Sequence, residues 1–128
     1  MRLLILLCLI LIFFQGTSQI ENCTSFRKGK YFYTPPNGGE VTFRRTNKKQ
    51  IERYNNEHQR FIFKIIWLNE CEYSLTLHNT KGVNRKIKKQ IIGTILKCEI
   101  IRAELDHYIM YIDGDNESEP DKVTVYVK

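Results

Sequence analysis

The chain has 128 residues, with 20 Lys and Arg against 14 Asp and Glu and four cysteines. That is one domain's worth of chain, with room for a single modest core. The net charge of +6 is moderate and interrupted by acids, which speaks for solubility or attraction to an anionic surface and against nucleic-acid binding.

The first eighteen residues read as a leader. Met1-Arg2 is positive, Leu3 to Phe14 is an unbroken apolar run, and Gly16-Thr17-Ser18 supplies the small residues before a cleavage point. The run is too short for a spanning helix, which needs ~20 residues. The expected division is a signal peptide over 1–18 and one β-barrel domain over 19–128, secreted or periplasmic, with no transmembrane segment once the leader is gone. Arg2 and Cys8 leave with it, so the mature charge falls to about +5. Cys23, Cys71 and Cys98 remain, an odd number for an oxidising compartment. Three single pairings are open. Cys23–Cys71 is favoured because Cys23 lies in the N-terminal lead-in and Cys71 at a bend, whereas Cys98 sits inside the apolar run Ile95 to Ile101 as a small core residue.

In chain order, Gln19 to Lys28 is a polar, irregular lead-in. Gly29 to Thr34 is a short aromatic strand, stopped by Pro35-Pro36-Asn37-Gly38-Gly39. Glu40 to Thr46 alternates, with Val41, Phe43 and Arg45 on one face, and turns at Asn47-Lys48 into a mostly polar strand over Lys49 to Tyr54. After the loop at Asn55 to His58 comes the central hairpin, 61–77, with its break at Asn69-Glu70. Asn84 caps a short helix over Arg85 to Ile92, which Gly93 ends. Thr94 to Leu105 is a long strand, bulged where its apolar parity changes at Ile100-Ile101. Tyr108 to Ile112 and Lys122 to Lys128 are the last strands, on either side of the acidic loop 113–121.

Burial fixes the register of the central hairpin. Cross-strand neighbours share a face, so loop length decides which side chains meet. A two-residue loop sets Trp67 opposite Glu72 and Lys64 opposite Leu75. A three-residue bend ending at Cys71 sets Trp67 opposite Tyr73, Ile65 opposite Leu75 and Phe63 opposite Leu77. Burying a large apolar side chain is worth roughly 1.5–3 kcal/mol, so six on one face select the second register. Ile62, Ile66 and Leu68 make the other face partly apolar, which calls for a cover.

Seven to eight short sequential strands make an antiparallel meander, and closing it removes its exposed edges. The expected fold is all-β with one short helix, a small lipocalin-like barrel. A half-open barrel or a sandwich is the alternative.

Few signals carry chemistry. Asp113, Asp115 and Glu117 alternate as in a calcium loop, but Ser118 stands where glycine is required and Thr124 where a glutamate closes the site. The loop therefore reads as a solvated hairpin tip, and no metal or cofactor is expected. His58, His78 and His107 are isolated, and no nucleophile or phosphate-loop motif is present. These absences point away from an enzyme. The cations Arg85, Lys86, Lys88 and Lys89, with Lys81 and Lys97 nearby, form a wet face or a contact for an anionic envelope or glycan. They lack the interleaved aromatics of a single-strand binder. Arg45 continues the inward face of Val41 and Phe43, and an inward arginine calls for a carboxylate, from Glu52 or from a bound anion.

The set formed by Cys23, Gly29-Lys30-Tyr31-Phe32-Tyr33, Arg45, Gln50-Ile51-Glu52, Ile65, Trp67, and Asn69-Glu70-Cys71 with Tyr73 and Leu75 resembles a group of uncharacterised small secreted bacterial proteins. The resemblance covers Cys23 to about Leu77. It implies a compact β-domain, brings no known activity or ligand, and agrees in its cysteine order with a Cys23–Cys71 bridge.

Two functions follow as expectations. The first is an exported, non-enzymatic, monomeric barrel binding a small apolar ligand or envelope component, with Phe61, Phe63, Trp67, Tyr73 and Arg45 as the binding residues. The second is an interaction module, an inhibitor or structural envelope protein, acting through its outer surface.

Overall fold

A computed structural model describes residues 22–35, 38–54, 58–114 and 119–128. The leader, parts of the loops after Pro35 and Tyr54, and the centre of the acidic loop lie outside the described residues. Eight strands follow one another: β1 (Gly29–Tyr33), β2 (Val41–Arg45), β3 (Lys49–Tyr54), β4 (Gln59–Trp67), β5 (Glu72–Lys81), β6 (Ile95–Ala103), β7 (His107–Gly114) and β8 (Asp121–Val127). Each pairs antiparallel with the next, and β1 pairs with β8 through Tyr31 opposite Val127 and Phe32 opposite Tyr126. The meander is thus a closed barrel without a free edge. Eight strands leave an interior just wide enough for side chains or one small ligand.

Alternation places the core. Tyr31, Val41, Phe43, Phe63, Ile65, Tyr73, Leu75, Leu77, Tyr108, Met110, Val123 and Val125 all point inward and are buried. Trp67 faces Tyr73, Ile65 faces Leu75 and Phe63 faces Leu77. This is the register of a three-residue bend, and the Leu68 N–H donates to the Glu72 carbonyl at 2.9 Å to extend the ladder to the bend itself. The Asn69 side chain shapes it, its Oδ1 accepting from the Cys71 and Glu72 amides.

Two bulges bend the wall. One lies in β6, between Ile100 and Arg102, where the apolar parity changes. The other was not foreseen. Ile62 pairs with Asn79 and Phe63 with Leu77, so His78 is the extra residue, and the slip turns Thr80 inward. The helix α1 (Arg85–Ile91) is capped by the Asn84 Oδ1 and ends before Gly93, whose φ of 90° is left-handed.

The lead-in expected to be irregular contains a 3-10 turn, Cys23–Phe26, in which the Asn22 Oδ1 accepts from the Thr24 amide. Its cause is the plug it forms. Phe26 is buried at one end of the barrel, its ring 4.9 Å from that of Tyr108. Cys23 is bonded to Cys71, which ties the plug to the β4–β5 bend, and Cys98 is a buried free thiol. The expected cover over the outer apolar residues does not form among the described residues, since Ile66 is 49% and Leu68 60% exposed.

Candidate functional site

The interior is polar at its centre. The last residue of β2, Arg45, is completely enclosed beside the plug, and each of its three nitrogens finds a protein acceptor. Nε and Nη2 donate to the Gln50 Oε1 at 2.9 and 2.7 Å, Nη1 to the Phe26 carbonyl at 2.7 Å, and Nη2 also to the Tyr73 and Tyr108 hydroxyls. Its guanidinium carbon lies 4.7 Å from the Tyr73 ring centre and 5.1 Å from that of Phe43, with Tyr31, Trp67 and Tyr108 all within 5.9 Å. Aromatic faces carry negative charge density, so this cage replaces part of the water the cation has lost.

The expected direct carboxylate partner is absent from this shell. Instead the Gln50 amide joins Arg45 to Glu52, accepting from the guanidinium and donating from Nε2 to the Glu52 Oε1 at 2.8 Å. The other Glu52 oxygen accepts from the Tyr54 hydroxyl, which in turn meets the Tyr33 hydroxyl at 3.1 Å. A chain of hydrogen bonds, Arg45–Gln50–Glu52–Tyr54–Tyr33, therefore crosses the barrel from the plugged end to the opposite one. Every member comes from β1, β2 or β3, where the period of two turns alternate residues inward. Burial pushes the Glu52 carboxyl above its ordinary value, against the opposing pull of the Tyr54 and Gln50 hydrogen bonds and of the Arg45 charge. Burial also raises Tyr33, Tyr54, Tyr73 and Tyr108, which all stay neutral, and pushes the Cys98 thiol up to about 12.

The five residues anticipated as a ligand site divide. Arg45, Trp67 and Tyr73 come together, the Trp67 and Tyr73 rings 4.6 Å apart, with Arg27 above the outer face of Trp67 at 4.8 Å. Phe63 is buried in mid-barrel opposite Gln50 and Leu77. Phe61 stands at the other end, 4.9 Å from Tyr54. Comparison with protein-family models, curated proteins and solved structures finds no match. Function must be read from this molecule's own surfaces.

Sequence reasoning missed Tyr31, Tyr108, Phe43 and Phe26 as partners of Arg45. The inward parity of the three strand residues was readable and that of Phe26, in the lead-in turn, was not; which of them converge on one cation depends on contacts up to 63 residues apart. Among the described residues no three His, Cys, Asp or Glu side chains gather to hold a metal ion, and no helix is long and apolar enough to cross a membrane.

The outer wall differs in character. Outward positions of β1 to β4 carry Lys30, Arg44, Lys49, Arg53, Arg60 and Lys64, and the one acid within these strands, Glu52, is the inward one. Aromatic side chains reappear on the outside at the β1–β8 seam, where Phe32 stacks on Tyr126 at 5.4 Å.

Proposed function

We propose that the protein is an exported, non-enzymatic interaction module whose barrel interior is a structural core and whose outer surface meets an anionic partner. The observation that carries this reading is the engagement of Arg45. The guanidinium is the strongest anchor the interior could offer a polar guest, and it is engaged by Gln50, Phe26, Tyr73 and Tyr108. Among the described residues of the interior, that leaves only the isolated Trp67 Nε1 and Thr80 Oγ1 buried without a partner. The aromatic rings that motivate an apolar ligand are engaged with Arg45 and with one another. The positive charge that remains is on the outside, where it attracts an anionic surface. Export is supported by the Cys23–Cys71 bridge, since such bonds persist in oxidising compartments, and by the apolar leader.

Trp67 tests the reading, because it packs on Tyr73 and Arg45 and reports on the barrel interior. Its fluorescence titrated with fatty acids and similar apolar probes should show no saturable change. A saturable shift would return the interior to the role of a binding cavity and remove the proposal.

A further inference from the structure

The strand register assembles the outer cations into a track. The Lys128 amide donates to the Lys30 carbonyl at 3.0 Å, and Lys30 is directly opposite Arg44. Arg44 faces Ile51, and Arg53, two residues along β3 on the same face, is its diagonal neighbour. Arg53 is opposite Arg60, and Arg60 opposite Lys81. Lys128, Lys30, Arg44, Arg53, Arg60 and Lys81 thus run obliquely over six successive strands, from β8 through β1 to β5, with Lys128 at the end of the row also 3.9 Å from the Glu40 carboxylate. Five steps of about 4.8 Å between strands give a path of roughly 24 Å. A hollow of about 260 Å³ lies along it, with Lys30, Thr42, Arg44, Arg53 and Lys128 in its lining. A second, larger one of about 820 Å³ adjoins at Lys30 and Arg44 and reaches Lys28, Lys48 and Lys49.

Like charges directly opposite one another destabilise a sheet. Lys30–Arg44 and Arg60–Lys81 are two such pairs in the track, and Lys49–Lys64 beside it is a third; Arg53, opposite Arg60, has a further partner of its own. Hairpins ordinarily avoid this arrangement, and a polyanion laid across the strands converts each repulsion into a shared attraction.

We propose that this track binds a linear acidic polysaccharide, bearing sulfate or carboxylate groups, wound around the barrel wall. The inference rests on the outer-surface reading above and names the partner. Shape selects it. The wall is convex, and the track crosses six of eight strands, so a flat bilayer touches only the few charges along one line. A flexible polyanion follows the curve. Single-stranded nucleic acid calls for aromatic platforms spaced between the cations, and here the outward aromatics Phe32 and Tyr126 stack on each other at the β1–β8 end, while the outward residues farther along are Thr42, Ile51 and Ile62. An interface with a folded protein centres on buried aromatic or apolar anchors, whereas both hollows along the track are lined mainly by cations.

The test is calorimetric titration of the exported full-length protein with heparin-derived oligosaccharides at 50 and 200 mM salt. Two triple variants carry the discrimination: Lys30→Gln/Arg44→Gln/Arg60→Gln on the track, and Lys86→Gln/Lys88→Gln/Lys89→Gln on α1. Both remove the same charge. The track variant should bind about tenfold or more weakly and melt no lower than the parent, because repulsion has been relieved, while the α1 variant stays within about twofold. Binding should weaken at the higher salt. The proposal is overturned if the parent does not bind, if the two variants weaken binding equally, or if phosphatidylglycerol vesicles, a DNA oligonucleotide or polyglutamate bind more tightly than the oligosaccharide. Should the track variant misfold, Lys30→Gln/Lys81→Gln set against Lys86→Gln/Lys89→Gln makes the comparison with two charges removed from each. Failure here with Trp67 still silent to apolar probes removes only the polysaccharide; a saturable Trp67 response removes the outer-surface reading itself.

Discussion

Gln50→Leu is the sharpest perturbation of the interior. The substitution removes the acceptor of two Arg45 bonds, at 2.9 and 2.7 Å, and the donor of one Glu52 bond, at 2.8 Å, without a large change of volume. Hydrogen bonds to charged groups are worth ~1.5–3 kcal/mol each, but three sharing one side chain do not add. Two of the three bonds reach the guanidinium and one the Glu52 carboxyl, so a less than additive loss of about 4 kcal/mol is expected. For a domain near 100 residues that is a fall in melting temperature of roughly 16–32 °C, which leaves the variant folded if the parent has ordinary stability. Arg45→Met in the same chain removes the stranded guanidinium, and the double variant should be no less stable than Gln50→Leu alone. Urea denaturation of the parent, both singles and the double completes the cycle. A Gln50→Leu loss under about 1 kcal/mol, or a double equal to the sum of its singles, would refute a coupled Arg45–Gln50–Glu52 core.

Three further outcomes follow from single features. Burial holds the Glu52 carboxyl above its ordinary value of 4.5, so above that pH the folded chain retains a proton that the unfolded chain releases. The contribution to stability is therefore complete below about pH 4.5 and declines as pH rises toward the raised value. Glu52→Gln should flatten that decline in melting temperature, and an unchanged slope would count against it. The Cys23–Cys71 bridge closes a separation of 48 residues, for which loop entropy gives about 4 kcal/mol. Cys23→Ala/Cys71→Ala should lose that much in urea, and a loss below about 1 kcal/mol would mean the plug is held by Phe26 and Arg45 alone. Gly82 has a φ of 72°, and a Cβ there would stand 2.0 Å from the His58 carbonyl oxygen. Gly82→Ala should cost more than about 1 kcal/mol and a tolerated alanine would show that the β5–α1 corner relaxes.

Much of the wall was legible in the sequence because burial leaves a period-two trace. The hairpin register, the inward turn of Arg45 and the bulge at Ile100-Ile101 all follow from apolar parity. The bulge at His78 left no such trace, since the residues after Leu77 are His78, Asn79 and Thr80, and a slip among polar residues alters no hydrophobic pattern. The turn at Cys23–Phe26 is too short to have a period, and only its Asn22 cap and the contacts of Phe26 define it. Arg45 was expected to need a carboxylate beside it. A glutamine amide, two tyrosine hydroxyls, a carbonyl and five ring faces satisfy it instead, and these converge only once the barrel closes. The cation track has the same origin, since each outward position was readable from alternation, whereas the step from Lys128 to Lys30 exists only because β8 meets β1.

The central claim, that the outer wall binds and the interior holds the wall in shape, is tested most directly by amide chemical-shift mapping. The protein labelled with nitrogen-15 is titrated with a heparin-derived oligosaccharide. The shifts should concentrate at Lys30, Thr42, Arg44, Arg53 and Arg60, leaving Leu75, Tyr108 and Val125 unmoved. Shifts centred on those inward residues, with the track silent, would contradict it.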